Sequence, residues 1–269
     1  MASTEADTDV EYVDRPLVAP GVVEHRRYQS RLVDRARGAN TLVCLPTGLG
    51  KTAVSLLVTA RRLHEAGGTA LLLAPTKPLV QQHAAFYREA LTLDDDAVVT
   101  FTGDVRPDDR AALWDDARVV VATPQVVEND LIGGRIDLGA VTHLTFDECH
   151  RATGDYAYVY VAERYGADAA DPLVTGMSAS PGGDADAIRR VCENLGLDEV
   201  AVMTEDDADV ADDAHETDVE WIELDLPDEV LEIRDGINEV ITNRLTTLKE
   251  LGVTESTKPD MSESQINRI

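Results

Sequence analysis

The apolar residues of this chain fall into short, nearly continuous runs that are separated by longer stretches with helical spacing. The runs are rich in valine and leucine and contain few charged residues, as expected for strands that are covered on both faces. Six of them stand out, at residues 41–45, 70–74, 98–101, 118–122, 143–146 and 173–178. Because strand-like and helix-like segments alternate, the pattern predicts an α/β fold with a mostly parallel sheet and helices on both of its faces.

Four further stretches place apolar residues at helical spacing, at residues 52–67, 78–91, about 156–165 and about 228–251. The third of these contains several tyrosines, which would suit a platform for stacked bases. Aromatic residues at helical spacing more often belong to a core, and we expect core packing here.

Composition divides the chain into four parts. Residues 1–21 form an acidic N-terminal tail, and residues 22–203 hold all six predicted strands. Residues 204–218 contain eight acidic residues and no lysine or arginine, which indicates a solvated linker. Residues 219–269 hold one strand-like run at 221–227 and one helix. This last part is too short to bury a core of its own, and we expect the chain to stop partway through a second lobe or helical insertion.

The charge is the unusual bulk property. The chain has 51 Asp and Glu residues against 24 Lys and Arg residues, and its formal net charge is −27. Such a charge repels nucleic acid at low salt. Acidic residues scattered along a whole chain are also typical of halophilic proteins, because a Debye length of about 3 Å at 1 M salt screens the self-repulsion. We favour the halophilic interpretation, in which the charge does not identify the partner.

The sequence argues against a membrane-spanning protein and against a secreted one. No stretch approaches the ~18–20 consecutive apolar residues of a membrane-spanning helix, and the N-terminal residues lack the apolar centre of a signal peptide, so we expect a cytoplasmic protein. Cys44, Cys149 and Cys192 do not have the spacing of a metal site, alone or with His150. They are predicted to be reduced thiols in or near the core.

The sharpest chemical signal is LPTGLGKTAVSLLV at 45–58, between the first predicted strand and the first predicted helix. Its glycines permit a tight turn whose backbone N–H groups point at phosphate oxygens, and the helix N-terminus adds partial positive charge. The Lys51 ammonium suits the β- and γ-phosphates, and the Thr52 hydroxyl suits Mg²⁺. Leu45 replaces the first glycine of the strict G-x-x-x-x-G-K-[ST] pattern. The residues predicted to bind nucleotide are Pro46, Thr47, Gly48, Leu49, Gly50, Lys51 and Thr52.

A second signal is DECH at 147–150, directly after the predicted strand 143–146. Ligands of parallel sheets bind at the carboxyl ends of the strands. Asp147 suits a Mg²⁺ ligand, and Glu148 suits the base that orients and deprotonates an attacking water. The predicted catalytic residues are therefore Lys51, Asp147 and Glu148, and the predicted metal ligands are Thr52 and Asp147.

A third signal is the tripeptide Ser178, Ala179 and Ser180, which follows the last predicted strand. Its hydroxyls can bond to the acidic pair or to His150 and so report the state of the nucleotide. By itself the tripeptide is more simply explained as a turn. We predict a coupling role for it together with His150.

Together these motifs resemble those of superfamily 2 helicases of the DExD/H type, and most of all the helicase part of the Hef/FANCM group, which acts in DNA repair. The resemblance covers about residues 22–200 and, weakly, the chain from 221 onward. Cys149 stands where that group usually has alanine, a change that leaves both carboxylates in place. The segments that carry the resemblance are 26–29, 74–83, 102–104, 121–138, 147–165 and 177–182.

The resemblance implies a RecA-like P-loop lobe that uses ATP and Mg²⁺. Gln29 would read the adenine, supported by Tyr28 or Arg26. The residues implied as nucleic-acid contacts are Pro75, Thr76, Lys77, Gly103, Asp104, Thr123, Pro124 and Gln125. Helix N-termini of this kind can hold phosphates with little net positive charge, although a Thr-Pro start is also a good helix cap in its own right.

The resemblance further implies the N-terminal motor lobe of an ATP-dependent helicase or translocase for branched or forked DNA. In that resemblance a second lobe supplies the arginine finger and, in Hef, a nuclease region follows; none of these is visible before Ile269. An arginine finger is worth about 10³–10⁵ in rate, so this chain alone is expected to bind Mg-ATP weakly and hydrolyse it poorly. Two alternatives stay open: an RNA-directed DExD/H motor, and a non-catalytic fragment that binds nucleotide or nucleic acid.

Overall fold

The computed structural model describes residues 10–179, 185–204, 207, 227–252 and 257 of the chain. The strands are β1 Thr41–Cys44, β2 Thr69–Leu73, β3 Val98–Phe101, β4 Val119–Ala122, β5 Val141–Phe146, β6 Val174–Ser178 and β7 Glu199–Val202. The helices are α1 Arg27–Ala36, α2 Lys51–Glu65, α3 Lys77–Ala90, α4 Pro107–Trp114, α5 Pro124–Ile132, α6 Ala157–Asp168, α7 Ala185–Leu195 and α8 Asp228–Glu250. None of the helices in this described part of the chain is long and apolar enough to cross a membrane.

The strands form one sheet in the order β3-β4-β2-β5-β6-β1-β7, and every described pairing is parallel. In a parallel sheet all strands end at the same edge, so the loops after β1, β2, β3, β4, β5 and β6 share one side of the molecule. The predicted α/β fold with a parallel sheet is confirmed.

The sheet is covered on both faces, which explains its continuous apolar runs. Successive residues of a strand point to opposite faces. Val43 and Leu72 pack with α1, α2 and α3, whereas their neighbours Leu42 and Leu71 pack with α5, α6 and α7. Two of the three tyrosines of α6, Tyr158 and Tyr165, belong to this second layer and are fully buried, which confirms the predicted core packing for them.

The edge strand β7 was not predicted from the sequence. It pairs only with β1 among the described strands, and three of its four residues are exposed. An edge strand that is mostly exposed does not need a continuous apolar run. The four-residue sequence of β7, EVAV, is therefore hard to distinguish from a loop by its pattern.

The segment before α1 packs against the rest of the sheet and helices. Tyr12 pairs with Glu24 and Val18 pairs with Leu91 in isolated antiparallel bridges, and Val13 and Val18 are buried in the core. The predicted tail 1–21 thus includes residues, from 10 onward, that contribute to the core. Residues 1–9 lie outside the described part.

The chain forms two compact units that divide between residues 215 and 216, within the predicted linker 204–218. In the second unit α8 is a helix of 23 residues, as its apolar spacing predicted. The strand predicted at 221–227 lies outside the described residues except for its last residue, Pro227, which precedes α8.

Candidate active site

The loop between β1 and α2 turns on two glycines. Gly48 and Gly50 have φ angles of 85° and 81°, in the left-handed region that side chains with a Cβ rarely adopt. A Cβ on Gly50 would also lie 2.4 Å from the Gln29 amide nitrogen. Gly50 directly precedes α2, so the turn delivers the chain into the helix with the first N–H groups of α2 free of helical acceptors.

The Lys51 side chain folds back over this loop. Its ammonium donates hydrogen bonds to the carbonyl of Leu45 at 3.0 Å and to that of Pro46 at 3.5 Å. Backbone carbonyls are neutral acceptors, and hydrogen bonds to charged acceptors are stronger. A phosphate in the loop would therefore compete well for the same ammonium.

The acidic pair lies at the end of β5, at the same edge of the sheet as the loop. The Asp147 amide donates to the Leu73 carbonyl at 2.8 Å, which ties the end of β5 to the end of β2. Asp147 is buried, with 5% of its surface exposed. Glu148 has a φ angle of 48°, and the described residues include only one other non-glycine residue with positive φ, Leu17. Strained backbone of this kind concentrates at functional sites.

A histidine without a role predicted from the sequence joins the loop to the acidic pair. The Nδ1 atom of His83 lies 3.5 Å from the Thr52 hydroxyl, and its Nε2 atom lies 2.8 Å from Oδ2 of Asp147. Thr52 and Asp147 therefore flank one imidazole. The only signal in the sequence was that His83 ends the helicase-like segment 74–83, where it looks like any polar residue of a helix.

Two of the predicted coupling residues, His150 and Ser178, contact each other beside Glu148. His150 Nδ1 lies 3.1 Å from the Ser178 hydroxyl and 3.3 Å from a carboxylate oxygen of Glu148. Ala179 is exposed directly after β6, and Ser180 lies outside the described residues. His150 thus connects Glu148 to the end of β6.

Burial sets the chemistry of the cysteines around this site. Desolvation raises the pKa of Cys44 to about 11 and the pKa of Cys149 well above its ordinary value. All three cysteines are free, and Cys192 is half-buried. The predicted location of the three cysteines in or near the core is confirmed.

The predicted adenine-reading residues form hydrogen bonds to the backbone of the loop between β1 and α2. The Tyr28 hydroxyl and the Gln29 amide nitrogen both donate to the Leu49 carbonyl, at 2.9 and 3.1 Å. Arg26 donates in turn to the Tyr28 hydroxyl at 3.2 Å. Tyr28 is fully buried, so its ring supports the loop and is not itself a surface for the base.

A cavity of about 410 Å³ lies between the loop, α3 and the segment before α1. This volume lies within the ~300–1,000 Å³ range of ordinary ligand pockets. Its wall includes one face of α3 as well as the loop and the segment before α1. The polar and glycine residues of the wall are Glu24, Arg26, Gln29, Gly48, Gly50, Thr52, Gln82 and His83.

The residues of this site fit a nucleotide with Mg²⁺. The Thr52 hydroxyl and the Asp147 carboxylate supply oxygen donors beside the phosphate loop. Mg²⁺ prefers oxygen ligands and is usually bound by one or two carboxylates together with phosphates and water. The arrangement can thus hold a triphosphate and its cation and place the Glu148 carboxylate nearby.

The residues predicted to contact nucleic acid lie after three adjacent strands, β3, β4 and β2. Thr76 and Lys77 begin α3, Thr123 precedes α5, and Gly103 and Asp104 are exposed in the turn after β3. Lys77 forms an ion pair with Asp104 across two of these turns. Of the remaining residues, Pro75 is half-buried, Gln125 is exposed and Pro124 is buried, so the Pro124 ring does not reach the surface.

Comparison with known proteins places this site in a family. The family model for DEAD/DEAH box helicases matches residues 26–188. A putative ATP-dependent RNA helicase of Methanocaldococcus jannaschii is 41% identical over 91% of this chain and 31% of its own length. The Fanconi anemia group M protein of Gallus gallus is 34% identical over 85% of this chain and 11% of its own length.

A solved structure gives the same result. The crystal structure of the Pyrococcus furiosus Hef helicase domain has a TM-score of 0.71 and 41% identity, over 91% of this chain and 52% of that chain. This chain spans a third or less of the length of the curated relatives just described. The resemblance to the Hef/FANCM group is confirmed, and the chain belongs to the DEAD/DEAH box family of ATP-dependent helicases.

Proposed function

We propose that this chain is the ATP-binding motor lobe of a DNA helicase or translocase that acts on branched or forked DNA. The observation that carries the proposal is the chain of contacts from Thr52 through His83 to Asp147, beside a cavity that also reaches the adenine-reading segment. The hydrolysis of a nucleoside triphosphate needs a phosphate loop and an acidic strand end close together, and here one imidazole contacts both.

In this proposal the loop amides and the N-terminus of α2 bind the phosphates of ATP. The Lys51 ammonium moves from the Leu45 carbonyl to the terminal phosphates, and Gln29 and Arg26 lie where the adenine enters. Thr52 and Asp147 would hold Mg²⁺, which would neutralise charge on the phosphate oxygens. The Glu148 carboxylate orients the attacking water and accepts its proton.

The contacts of His150 support a coupling role. His150 lies within reach of both Glu148 and Ser178, so a shift of the Glu148 carboxylate on hydrolysis changes a contact at the end of β6. The segment after β6 is the one the resemblance assigns to coupling. We propose that His150, Ser178, Ala179 and Ser180 transmit the state of the nucleotide.

The proposed nucleic-acid edge consists of the turns after β2, β3 and β4. Backbone N–H groups at the starts of α3 and α5 can hold phosphates, with the hydroxyls of Thr76 and Thr123 beside them. Lys77 would exchange its partner Asp104 for a phosphate. Few positively charged side chains contact the nucleic acid in this proposal, so binding should gain little from counterion release.

The names of the relatives favour DNA but keep RNA open. Fungal relatives that are 31–36% identical to this chain are named ATP-dependent DNA helicases. The Methanocaldococcus relative is named a putative RNA helicase. Fusing a second helicase lobe of a relative to this chain, and comparing ATPase stimulation by single-stranded DNA, forked DNA and RNA, separates the two. A preference for RNA would replace our proposal with the RNA-directed alternative.

This chain is expected to be a weak ATPase by itself. It covers 52% of the Hef helicase domain, and in that family a second lobe supplies the arginine finger, worth about 10³–10⁵ in rate. We propose that such a lobe, and in Hef-like proteins a nuclease region, are the partners of this chain.

Single-turnover hydrolysis of Mg-ATP tests the catalytic assignment. Glu148→Gln keeps the size of the side chain and its strained backbone but removes the base, and it should lower the rate by about 10²–10⁴-fold while ATP still binds. Glu163→Gln, an exposed carboxylate on α6, is the matched control and should keep the wild-type rate. Equal rates for wild type and Glu148→Gln would favour the non-catalytic binding fragment instead.

A further inference from the structure

His83 touches both residues that the proposed function assigns to the metal. It is a residue of α3, 5% exposed, and its ring lies between the Thr52 hydroxyl at 3.5 Å and Oδ2 of Asp147 at 2.8 Å. It also lines the cavity. No sequence motif assigns it a chemical role, and the proposed nucleotide chemistry does not use it.

The hydrogen atoms of this contact can be placed by their chemistry. A carboxylate only accepts hydrogen bonds, so the His83 Nε2 atom carries the hydrogen that is shared with Asp147. In a neutral imidazole the other nitrogen is then an acceptor. With the ring neutral, the Nδ1 atom of His83 accepts a hydrogen bond and the Thr52 hydroxyl donates it.

These hydrogen bonds leave one oxygen of Thr52 and one of Asp147 available to bind a metal ion. A hydroxyl that gives its hydrogen to Nδ1 keeps its oxygen lone pairs for a metal ion. A carboxylate that is held through Oδ2 keeps Oδ1 for the ion or for one of its waters. If Nδ1 carried a hydrogen, it would donate to the Thr52 hydroxyl and occupy one of its oxygen lone pairs instead.

We propose that His83 is a positioning residue for Mg²⁺, one imidazole that orients the Thr52 hydroxyl and the Asp147 carboxylate toward the nucleotide-bound ion. The proposal rests on the proposed function, because it takes Thr52 and Asp147 as the metal ligands. Partners that orient metal ligands through hydrogen bonds typically contribute 10–100-fold to metal affinity.

A second buried histidine shows what a purely structural imidazole looks like here. His143 on β5 contacts the hydroxyls of Thr59 and Thr175, both at 2.9 Å, and burial lowers its pKa to about 3. None of these residues lines the cavity or belongs to the proposed metal site. His143 therefore serves as the matched control for the removal of a buried histidine.

Titration calorimetry of this chain with ATP, once with Mg²⁺ and once with a chelator, measures how much Mg²⁺ tightens binding. His83→Leu should lower this Mg²⁺-dependent factor by about 10–100-fold. The affinity measured in chelator should fall less than the affinity measured with Mg²⁺, because the phosphate loop is intact. His83→Asn, whose shorter side chain cannot bridge both partners, should shift the factor in the same direction if the leucine variant does not fold. His143→Leu should lower the thermal midpoint but keep the wild-type factor.

The outcomes distinguish two failures. A wild-type factor in either folded His83 variant overturns the positioning role, and so does an equal loss of affinity with and without Mg²⁺, which indicates general structural damage. If the wild-type chain binds no ATP, or binds it without any effect of Mg²⁺, then the proposed function fails and the inference fails with it.

Discussion

At the scale of single residues, the two left-handed glycines of the phosphate loop make different demands on a side chain. Gly48 and Gly50 have nearly the same φ, but a Cβ on Gly48 meets open space whereas a Cβ on Gly50 meets Gln29 at 2.4 Å. An L-residue in this region costs about 1–2 kcal/mol. The strain is common to both positions, and the collision belongs to Gly50 alone.

We therefore expect Gly48→Ala to destabilise the fold by about 1–2 kcal/mol. Gly50→Ala should cost more and should also weaken ATP binding, because it displaces the Gln29 amide from the Leu49 carbonyl and from the cavity wall. Denaturant unfolding and ATP titration of the two variants provide the comparison. Equal losses of stability and affinity would show that Gln29 moves aside without consequence.

The residues of the motifs could be predicted from the sequence, whereas the residue that contacts them could not. Thr52 and Asp147 belong to patterns whose residue types are dictated by phosphate and cation chemistry. His83 sits on a helix, where its polar neighbours look alike, and only the three-dimensional contact with Asp147 distinguishes it. The left-handed backbone of Glu148 is likewise invisible to periodicity, because spacing carries no information on φ.

At the scale of elements, a buried ion pair joins the two helices that follow the proposed nucleic-acid turns. Arg110 on α4 donates to both carboxylate oxygens of Asp130 on α5, at 2.6 and 2.8 Å, and their side chains are only 6% and 1% exposed. Arg110 also donates to the Val105 carbonyl, next to the turn that holds Asp104. One guanidinium thus ties the turn after β3 to the helix after β4.

Breaking this pair from one side should be costly. Asp130→Leu leaves a buried guanidinium without its carboxylate and should destabilise the fold by about 3–5 kcal/mol. Replacing both partners, with Arg110→Met and Asp130→Leu, should recover most of that loss but weaken nucleic-acid binding, because the two turns are no longer linked. Unfolding and DNA-binding titrations of the single and double variants test this. A double variant with full DNA affinity would reduce the pair to a packing feature.

Predictability at this scale follows burial. Strands that are covered on both faces appear in the sequence as apolar runs, and all six predicted runs correspond to strands. β7 exposes most of its residues at the sheet edge and gives no such signal. The segment from residue 10 to α1 shows neither the two-residue spacing of a strand nor the spacing of a helix. It is held by isolated bridges and a few buried valines, and its acidic composition indicates only a tail.

At the scale of the whole molecule, charge is the dominant property, and the sequence alone supplies it. A net charge of −27 on 269 residues opposes the compact state through self-repulsion. Ion pairs such as Arg61 with Glu65 act in the other direction and weaken with salt. Exposed pairs contribute only about 0–1 kcal/mol each, so the excess of acidic residues should decide the response to salt.

We therefore expect the thermal midpoint to rise as KCl increases from 0.1 to 1 M, over which the Debye length falls from about 10 Å to about 3 Å. A variant with Asp95, Asp96 and Asp116 changed to Asn, all exposed, should have a higher midpoint at low salt and a smaller rise, because it has less repulsion to screen. Scanning calorimetry across the salt series measures both. If the midpoint is independent of KCl, or the variant rises as steeply as wild type, then self-repulsion is not the controlling force, and the halophilic interpretation loses its physical basis.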